Sequence, residues 1–188
     1  MSANLIRLEP RGRALSAVAI VAGIGALLLR IMVIGAPGAT VVFVAVLATL
    51  AVVSLAMPVG ARTAAWLPQW IVLALGAAAV IAIAIVVDAG VPLPHGGLVL
   101  VLGVAAAASE ELFFRRLVYG ALDAWHPGVA IIGSALLFAV VHVPLYGAPV
   151  FWVDLGAGLL FSWQRWASGD WTAPAATHAL ANVLAVLR

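Results

Sequence analysis

The chain lacks cysteine and lysine, and it carries little charge of either sign. None of its 188 residues is cysteine, which excludes disulfides, thiolate metal sites and cysteine nucleophiles. Only 9% of the residues are charged, against roughly 25% in a soluble domain, so the chain could not cover a surface that faces water. The nine basic residues are all arginines and are scattered, and the net charge is only +2, which argues against a nucleic-acid partner.

Apolar residues make up 66% of the chain, and they fall into long runs separated by turn residues. We therefore predict an all-α polytopic bundle of about seven transmembrane helices, in one integrated membrane domain whose partner is the lipid bilayer. Several runs are shorter than the roughly 20 residues that span hydrocarbon, so a re-entrant segment among the last three is an alternative. The predicted segments are Ala14–Ile34, Thr40–Met57, Trp70–Val87, Gly97–Tyr119, Gly128–His142, Ala148–Trp163 and Ala173–Leu187.

The distribution of arginines predicts the orientation, because cytoplasmic loops retain positive charge. With the N-terminus inside, seven arginines fall on the inner side, and Arg30 and Arg188 fall outside or near the outer boundary. We expect an integral protein of a bacterial plasma membrane with a cytoplasmic N-terminus. The seven inner arginines are Arg7, Arg11, Arg13, Arg62, Arg115, Arg116 and Arg165.

The strongest polar pattern lies in the fourth segment, where two glutamates precede an arginine. Glu111 and Arg115 are four residues apart and share a helix face, with the acid first, which favours an ion pair. Glu110 points about 100° away from Glu111 on the helix, and we expect it to be unpaired and available for another role. A charge at mid-bilayer costs about 2.5–3.5 kcal/mol on insertion scales, which favours a functional role. The alternative is an ordinary interfacial cluster of charges.

Three further polar residues lie in the last segments. His142 follows Phe138 by four residues and stands near a helix end, where it serves equally well as a capping residue. His178 and Asn182 are also four apart and would point in one direction, as two groups that bind one oxygen atom would. The alternative is an interhelical hydrogen-bond pair. The remaining candidates look like loop or boundary residues: Asp88, His95, His126, Asp154 and Asp170.

Together these residues supply the groups needed to attack a peptide carbonyl with water: a base, its partner and oxyanion donors. The order Glu-Glu-x-x-x-Arg from Glu110, Phe-x-x-x-His ending at His142 and His-x-x-x-Asn from His178 resembles the CPBP intramembrane proteases. This family is also called the Abi or CAAX-protease family. The resemblance covers residues 97–188, whereas residues 1–96 match only as hydrophobic helices.

The resemblance implies a catalytic role for each matching position. Glu110 and His142 would activate the attacking water, and His178 and Asn182 would stabilise the oxyanion. A supporting pair would keep the site in register: Glu111 and Arg115. The implied function is an intramembrane endopeptidase that acts on a membrane-anchored or membrane-associated peptide or protein. The alternatives are a proton- or ion-coupled carrier subunit and a catalytically inactive scaffold.

The cofactor is a second open choice, because the family was long labelled metal-dependent. Glu110, His142 and His178 could form a zinc site of the two-His, one-carboxylate type. The chain has no His-Glu-x-x-His motif, and asparagine is a poor zinc ligand, so we favour hydrolysis without a metal. Counting from the inner side, His142 lies about 21 Å along its helix and His178 about 8 Å along its own, too far apart to cooperate. We keep the site and therefore expect strongly tilted helices, or a connection that dips into the membrane.

Overall fold

The computed structural model describes residues 9–58, 65–86 and 96–187, and every regular element in these ranges is helical. The prediction of an all-α bundle of about seven helices is confirmed. Each helix overlaps one of the apolar runs in the sequence. The described helices are α1 (Pro10–Met32), α2 (Ala39–Ala56), α3 (Gln69–Val86), α4 (Gly97–Asp123), α5 (Pro127–Tyr146), α6 (Val150–Ser168) and α7 (Thr172–Val186).

Five of these helices, α1 to α5, are long and apolar enough to cross a membrane. Their outward faces carry aliphatic side chains such as Val18, Leu29 and Val52, each more than half exposed. Exposed apolar surface on this scale is expected to face lipid. The chain is therefore an integral membrane protein. Helices α6 and α7 fall short of the span criteria, because α6 carries buried polar residues and α7 has 15 residues.

Three helices continue beyond their predicted ends, and α4 does so by one turn, to Asp123. Helix α5 passes through Pro144 to Tyr146, although the sequence predicts a stop at His142. Pro144 has no N–H to donate to the carbonyl of Val140, so the helix lacks one backbone hydrogen bond shortly before it ends. Helix α6 continues past Trp163 to Ser168 and ends at Gly169, which has a left-handed φ of 69°. Buried Gln164 lies just before the last turn and interrupts the apolar pattern used to place the end.

Helix α4 is central, and part of it is π-helical. The stretch Leu112–Val118 has π-helical hydrogen bonding and follows directly after Glu111. A π-helical turn inserts extra backbone and rotates the following side chains, and such turns are frequent at functional sites. Phe113 and Phe114 in this stretch are fully buried, and they pack against residues of α1, α2 and α5.

Close backbone approach joins α5 to α6. A Cβ atom added at Gly158 would lie 3.0 Å from the Cα of Ala135, so a larger residue would force the helices apart. The hydroxyls of Ser134 and Ser162 are 2.9 Å apart across the same interface. Small residues and hydroxyl bonds of this kind let helices pack tightly in lipid. This packing brings the side chains of α6 close to those of α5.

Helix α7 is held between α3, α4 and α6. The side-chain amide of Gln164 donates to the carbonyl of Val72 on α3 at 3.0 Å and to the hydroxyl of Thr177 on α7 at 2.9 Å. Thr177 precedes His178, so this buried network fixes the part of α7 that faces α4. The predicted orientation depends partly on Arg7, Arg62 and Arg188, which lie outside the described residues, and it stays a prediction.

Candidate active site

Glu110 lies near the midpoint of α4 and has partners on two other helices. Its Oε1 is 3.2 Å from Nη1 of Arg30 on α1, and its Oε2 is 3.7 Å from Nε2 of His142 on α5. All three side chains are more than nine-tenths buried. The expectation of an unpaired Glu110 is therefore wrong, because a buried carboxylate without a partner would be strongly unfavourable.

Arg30 is the site residue that the sequence analysis missed. It was assigned to the outer boundary of the first helix, whereas its side chain is buried against Glu110. A signal was present, since a single arginine near the end of an apolar run is costly in hydrocarbon unless it reaches an acid or the interface. The sequence does not show which acid it reaches, because the partner is 80 positions away.

Glu111 is fully buried and bridges two basic groups. Its Oε2 is 3.2 Å from Nε of Arg115, which confirms the ion pair predicted from their four-residue spacing. Its Oε1 is 3.0 Å from Nδ1 of His178 on α7. Adjacent glutamates on α4 thus contact different histidines: Glu110 faces His142, and Glu111 faces His178.

Arg115 also ties α4 to the neighbouring helices. Its Nη2 donates to the carbonyl of Gly158 on α6 at 3.4 Å. Its guanidinium carbon lies 5.1 Å from the ring centre of Phe138 and 5.7 Å from that of Phe161, within cation–π range. The side chain is completely buried. Its removal would affect the helix packing as well as the charge of Glu111.

The ring of Phe138 lies beside both histidines of the site. Its centre is 4.5 Å from that of His142 and 5.7 Å from that of His178. The predicted separation of the two histidines was therefore too large. The depths counted along the helices assume parallel helices that start at the same depth in the membrane. They also leave out that a helical side chain points back over the preceding turn. The His142 ring does so, with Nδ1 at 2.7 Å from the carbonyl oxygen of Phe138.

The contact with Phe138 defines how His142 presents its second nitrogen. A carbonyl oxygen can only accept, so we infer that Nδ1 carries the hydrogen and donates it. Nε2, which faces Glu110, is then free to accept a hydrogen bond when the ring is neutral. The 3.7 Å between Nε2 and the glutamate oxygen exceeds a direct hydrogen bond. A hydrogen-bond donor such as water could donate to both Nε2 of His142 and Oε2 of Glu110.

Asn182 is hydrogen-bonded to the backbone of α4. Its side-chain nitrogen donates to the carbonyl of Gly103 at 2.9 Å, which joins α7 to α4. One of the two amide hydrogens is used in this bond, and the second remains for another acceptor. The structure thus contains the interhelical bond that was the alternative interpretation of Asn182. It does not bring this amide and the His178 ring onto one common acceptor.

The sequence predicts that Asp154 is a boundary acid, but its side chain lies close to the site. Its Oδ2 is buried and stands 3.9 Å from Nδ1 of His142. The other loop candidates in the described ranges have structural roles. Nδ1 of His126 accepts from the backbone N–H of Gly128 at the start of α5, and Asp170 accepts from the N–H of Thr172 at the start of α7. Asp88 and His95 lie outside the described residues.

The proposed zinc ligands do not fit a metal ion in this arrangement. No group of three or more histidine, aspartate or glutamate side chains among the described residues is placed to hold one. Nδ1 of His178 is engaged by Glu111, and the guanidinium of Arg30 stands where it would repel a cation bound to Glu110. The polar groups are arranged as two charge pairs and not as a set of metal ligands.

A cleft of about 310 Å³ adjoins the site at the end of the bundle where α1 ends and α2 begins. Arg30 lines it together with apolar side chains from α2, α4 and α5, including Phe43, Leu102 and Leu145. Tyr146 stands at its edge, with its ring stacked on His142 at 6.1 Å between centres. Two residues of the cleft thus touch the pair formed by Glu110 and His142.

Comparison with known protein families gives a match to the second half of the chain. The family model of the Rce1-like type II CAAX prenyl endopeptidases matches residues 92–184. That range contains all seven named positions of the three motifs, and it leaves out Arg30. No curated protein and no solved structure matches the chain.

Proposed function

Because the chain carries a domain of the Rce1-like type II CAAX prenyl endopeptidase family, a family of proteases, we propose that it is an intramembrane endopeptidase. In this proposal it hydrolyses a peptide bond of a membrane-anchored or membrane-associated peptide or protein. Glu110 and His142 activate the attacking water. The observation that carries the proposal is their spacing of 3.7 Å inside an apolar bundle, with the tautomer of His142 set by Phe138.

The first step would be attack by a water held between the two side chains. Oε2 of Glu110 would accept one proton of the water as its oxygen bonds to the carbonyl carbon of the substrate. The carbonyl π electrons would move to the oxygen, which becomes the oxyanion. Arg30 supports this role, because its positive charge keeps the buried carboxylate ionised and thus able to accept a proton.

The second step would break the carbon–nitrogen bond. The tetrahedral intermediate would collapse, and the electron pair of that bond would go to the leaving nitrogen. Glu110, now protonated, would return its proton to this nitrogen, so that the carboxylate is regenerated and a free amine and a carboxylic acid are released. His142 would hold the water and then the glutamic acid in position through Nε2, without needing a net change of charge.

The oxyanion would be bound by His178 and Asn182, the two positions that the family resemblance assigns to it. Glu111 holds Nδ1 of His178, which fixes the ring and turns Nε2 away from Glu111. This nitrogen can donate when the ring carries both protons. Asn182 would donate its second amide hydrogen to the oxyanion. Alternatively, its hydrogen bond to the Gly103 carbonyl would break when substrate binds, and the amide would then donate to the oxyanion.

An inactive scaffold is the second candidate, and a specific observation favours it. Glu110, Glu111, Arg115, His178 and Asn182 all have partners within the chain, as they would if their role were to join helices. A carrier would need the same acidic groups to exchange protons with both sides of the membrane. These three functions make different predictions for the purified protein.

The test is reconstitution of the purified protein into vesicles with synthetic membrane-anchored peptides. A protease generates new peptide termini, which mass spectrometry identifies, and a carrier instead produces a pH-dependent ion flux. Glu9→Gln is a suitable control because Glu9 is exposed and precedes α1. Cleavage by wild type and Glu9→Gln, lost in Glu110→Gln, supports the protease. Flux without cleavage supports the carrier, and neither activity supports the scaffold.

A further inference from the structure

Arg30 has more hydrogen-bond donors than its surroundings use. A guanidinium has five N–H donors. Among the described residues it forms one hydrogen bond, to Glu110, and its Nε is buried without a partner. The side chain is more than nine-tenths buried, yet it lines the cleft of about 310 Å³. A buried donor set with so few acceptors indicates that another acceptor belongs in the cleft.

The charge and the lining of the cleft define that acceptor. Glu110 already balances the positive charge of Arg30, so a neutral acceptor suits the pair better than an anion. The neighbouring walls are apolar, with Phe43 from α2, Leu102 from α4 and Leu145 from α5. A peptide backbone has both properties: it offers neutral carbonyl oxygens and it carries apolar side chains that such walls would accept.

Hydrolysis inside a membrane creates a need for such donors. A helical substrate must unwind around the bond to be cut, because its carbonyls are otherwise covered by intrahelical hydrogen bonds. In hydrocarbon an unsatisfied backbone group is strongly unfavourable, because no water is present to bond it. A multidentate donor beside the catalytic pair would offset this cost for the unwound stretch.

We propose that the cleft between the α1–α2 turn, α4 and the end of α5 binds an extended, apolar segment of the substrate next to the scissile bond, and that Arg30 donates to its backbone carbonyls. This inference rests on the proposed function and names the part of the substrate that the site recognises. Arg30 then has two roles: it holds Glu110 ionised, and it binds the unwound backbone. Tyr146, at the cleft edge and stacked on His142, lies between the bound segment and the catalytic histidine.

Cysteine cross-linking tests the proposal without requiring hydrolysis, and the natural chain has no cysteine to interfere. The structure offers two matched pairs of neighbouring positions. Phe43→Cys and Leu102→Cys place the thiol at the cleft, whereas Val44→Cys and Val101→Cys place it on the exposed outer faces of the same helices. The probe is a synthetic peptide with a Leu-rich helix of about 20 residues and an extended Val-rich tail that carries one cysteine.

We expect disulfide cross-links from the two cleft positions to exceed those from their exposed neighbours. Random collision in the bilayer would give the opposite order, since positions 44 and 101 are the more exposed. Equal yields, or higher yields at the exposed positions, would overturn the proposal even if the protein cleaves peptides. Cleft-specific cross-linking in a protein that cleaves nothing would instead remove the proposed function and leave the cleft as a binding site.

The role of Arg30 is tested in the Phe43→Cys background. The double variant Arg30→Leu/Glu110→Leu removes the donors and the charge pair together, and a buried ion pair replaced by apolar residues usually leaves a fold intact. Loss of the carbonyl contacts should lower the cross-linking yield roughly three- to tenfold compared with Glu110→Gln, which keeps Arg30. An unchanged yield in a folded double variant would mean that Arg30 does not bind the peptide.

An anionic lipid headgroup is the competing occupant, and vesicle composition separates it from a peptide. If the cleft binds backbone carbonyls, the yield from Phe43→Cys should be similar in phosphatidylcholine and phosphatidylglycerol vesicles. A cross-linking yield from Phe43→Cys that decreases in phosphatidylglycerol vesicles, while the yield from the Val44→Cys control is unchanged, would identify the cleft as a headgroup site. That result would contradict the proposal.

Discussion

Arg30 and Glu110 form a buried ion pair of 3.2 Å that joins the first helix to the middle of the fourth. This contact links the N-terminal helices, which carry no recognisable motif, to the segment that carries the glutamate proposed to be catalytic. It also means that neither charge can be removed without consequence for the other. The stability of the protein is therefore coupled to the residues proposed to act in hydrolysis.

The first prediction concerns this coupling. Arg30→Gln and Glu110→Gln should each lower the free energy of unfolding by about 3–5 kcal/mol, because each leaves one buried charge without its counterion. The double variant should recover most of the loss, since it leaves no uncompensated charge. Thermal unfolding in detergent measures all three. Additive losses in the double variant would show that the two side chains act independently and that the pair is not formed.

The second prediction concerns Glu111 and Arg115, whose side chains are completely buried. Glu111→Gln and Arg115→Ala should reduce the amount of folded protein as well as activity, because Arg115 also contacts Gly158 and the rings of α5 and α6. Arg11→Ala is the control, since Arg11 is exposed near the start of α1. Size-exclusion profiles report the folded fraction. Normal folding of Arg115→Ala without activity would give it a direct part in the reaction.

The third prediction concerns the two proposed oxyanion donors. Removal of one such donor typically lowers kcat by ~10²–10³, so Asn182→Ala should act mainly on turnover and little on substrate affinity. His178→Ala should have a similar effect, and the double variant should fall short of the product of the two because both groups serve one oxygen. An unchanged kcat with lower thermal stability would assign Asn182 to the Gly103 bond alone.

The fourth prediction concerns metal. Strong chelators should leave the cleavage rate unchanged, because the polar groups are arranged as charge pairs and Arg30 stands beside Glu110. Elemental analysis should find less than stoichiometric zinc in the active protein. Activity that is lost together with bound zinc, and restored when zinc is added back, would reverse this interpretation of the site.

The sequence predicted what depends on local pattern. Apolar runs and turn residues located the seven helices of the described ranges, because in a membrane the length and the hydrophobicity of a segment largely determine its structure. The pair Glu111 and Arg115 was found for the same reason, since residues four apart on a helix are neighbours. The family motifs lie within one matched range, and a single sequence was enough to identify them.

What the sequence missed depends on contacts between distant segments. Arg30 and Asp154 were assigned to boundaries because their partners lie on other helices. The distance between His142 and His178 was overestimated because residue counts do not include helix tilt or side-chain direction. The π-helical stretch after Glu111 left no signal in the periodicity, although it sets the direction of the side chains that follow.

The most direct test of the central claim, that Glu110 activates water for peptide hydrolysis, is the cleavage rate of a defined membrane-anchored peptide in vesicles. We expect Glu110→Gln to lower the cleavage rate ~10²–10⁴-fold, the usual contribution of a general base, when equal amounts of folded protein are compared. Glu9→Gln should cleave at the wild-type rate. A Glu110→Gln protein that retains substantial activity would contradict the account.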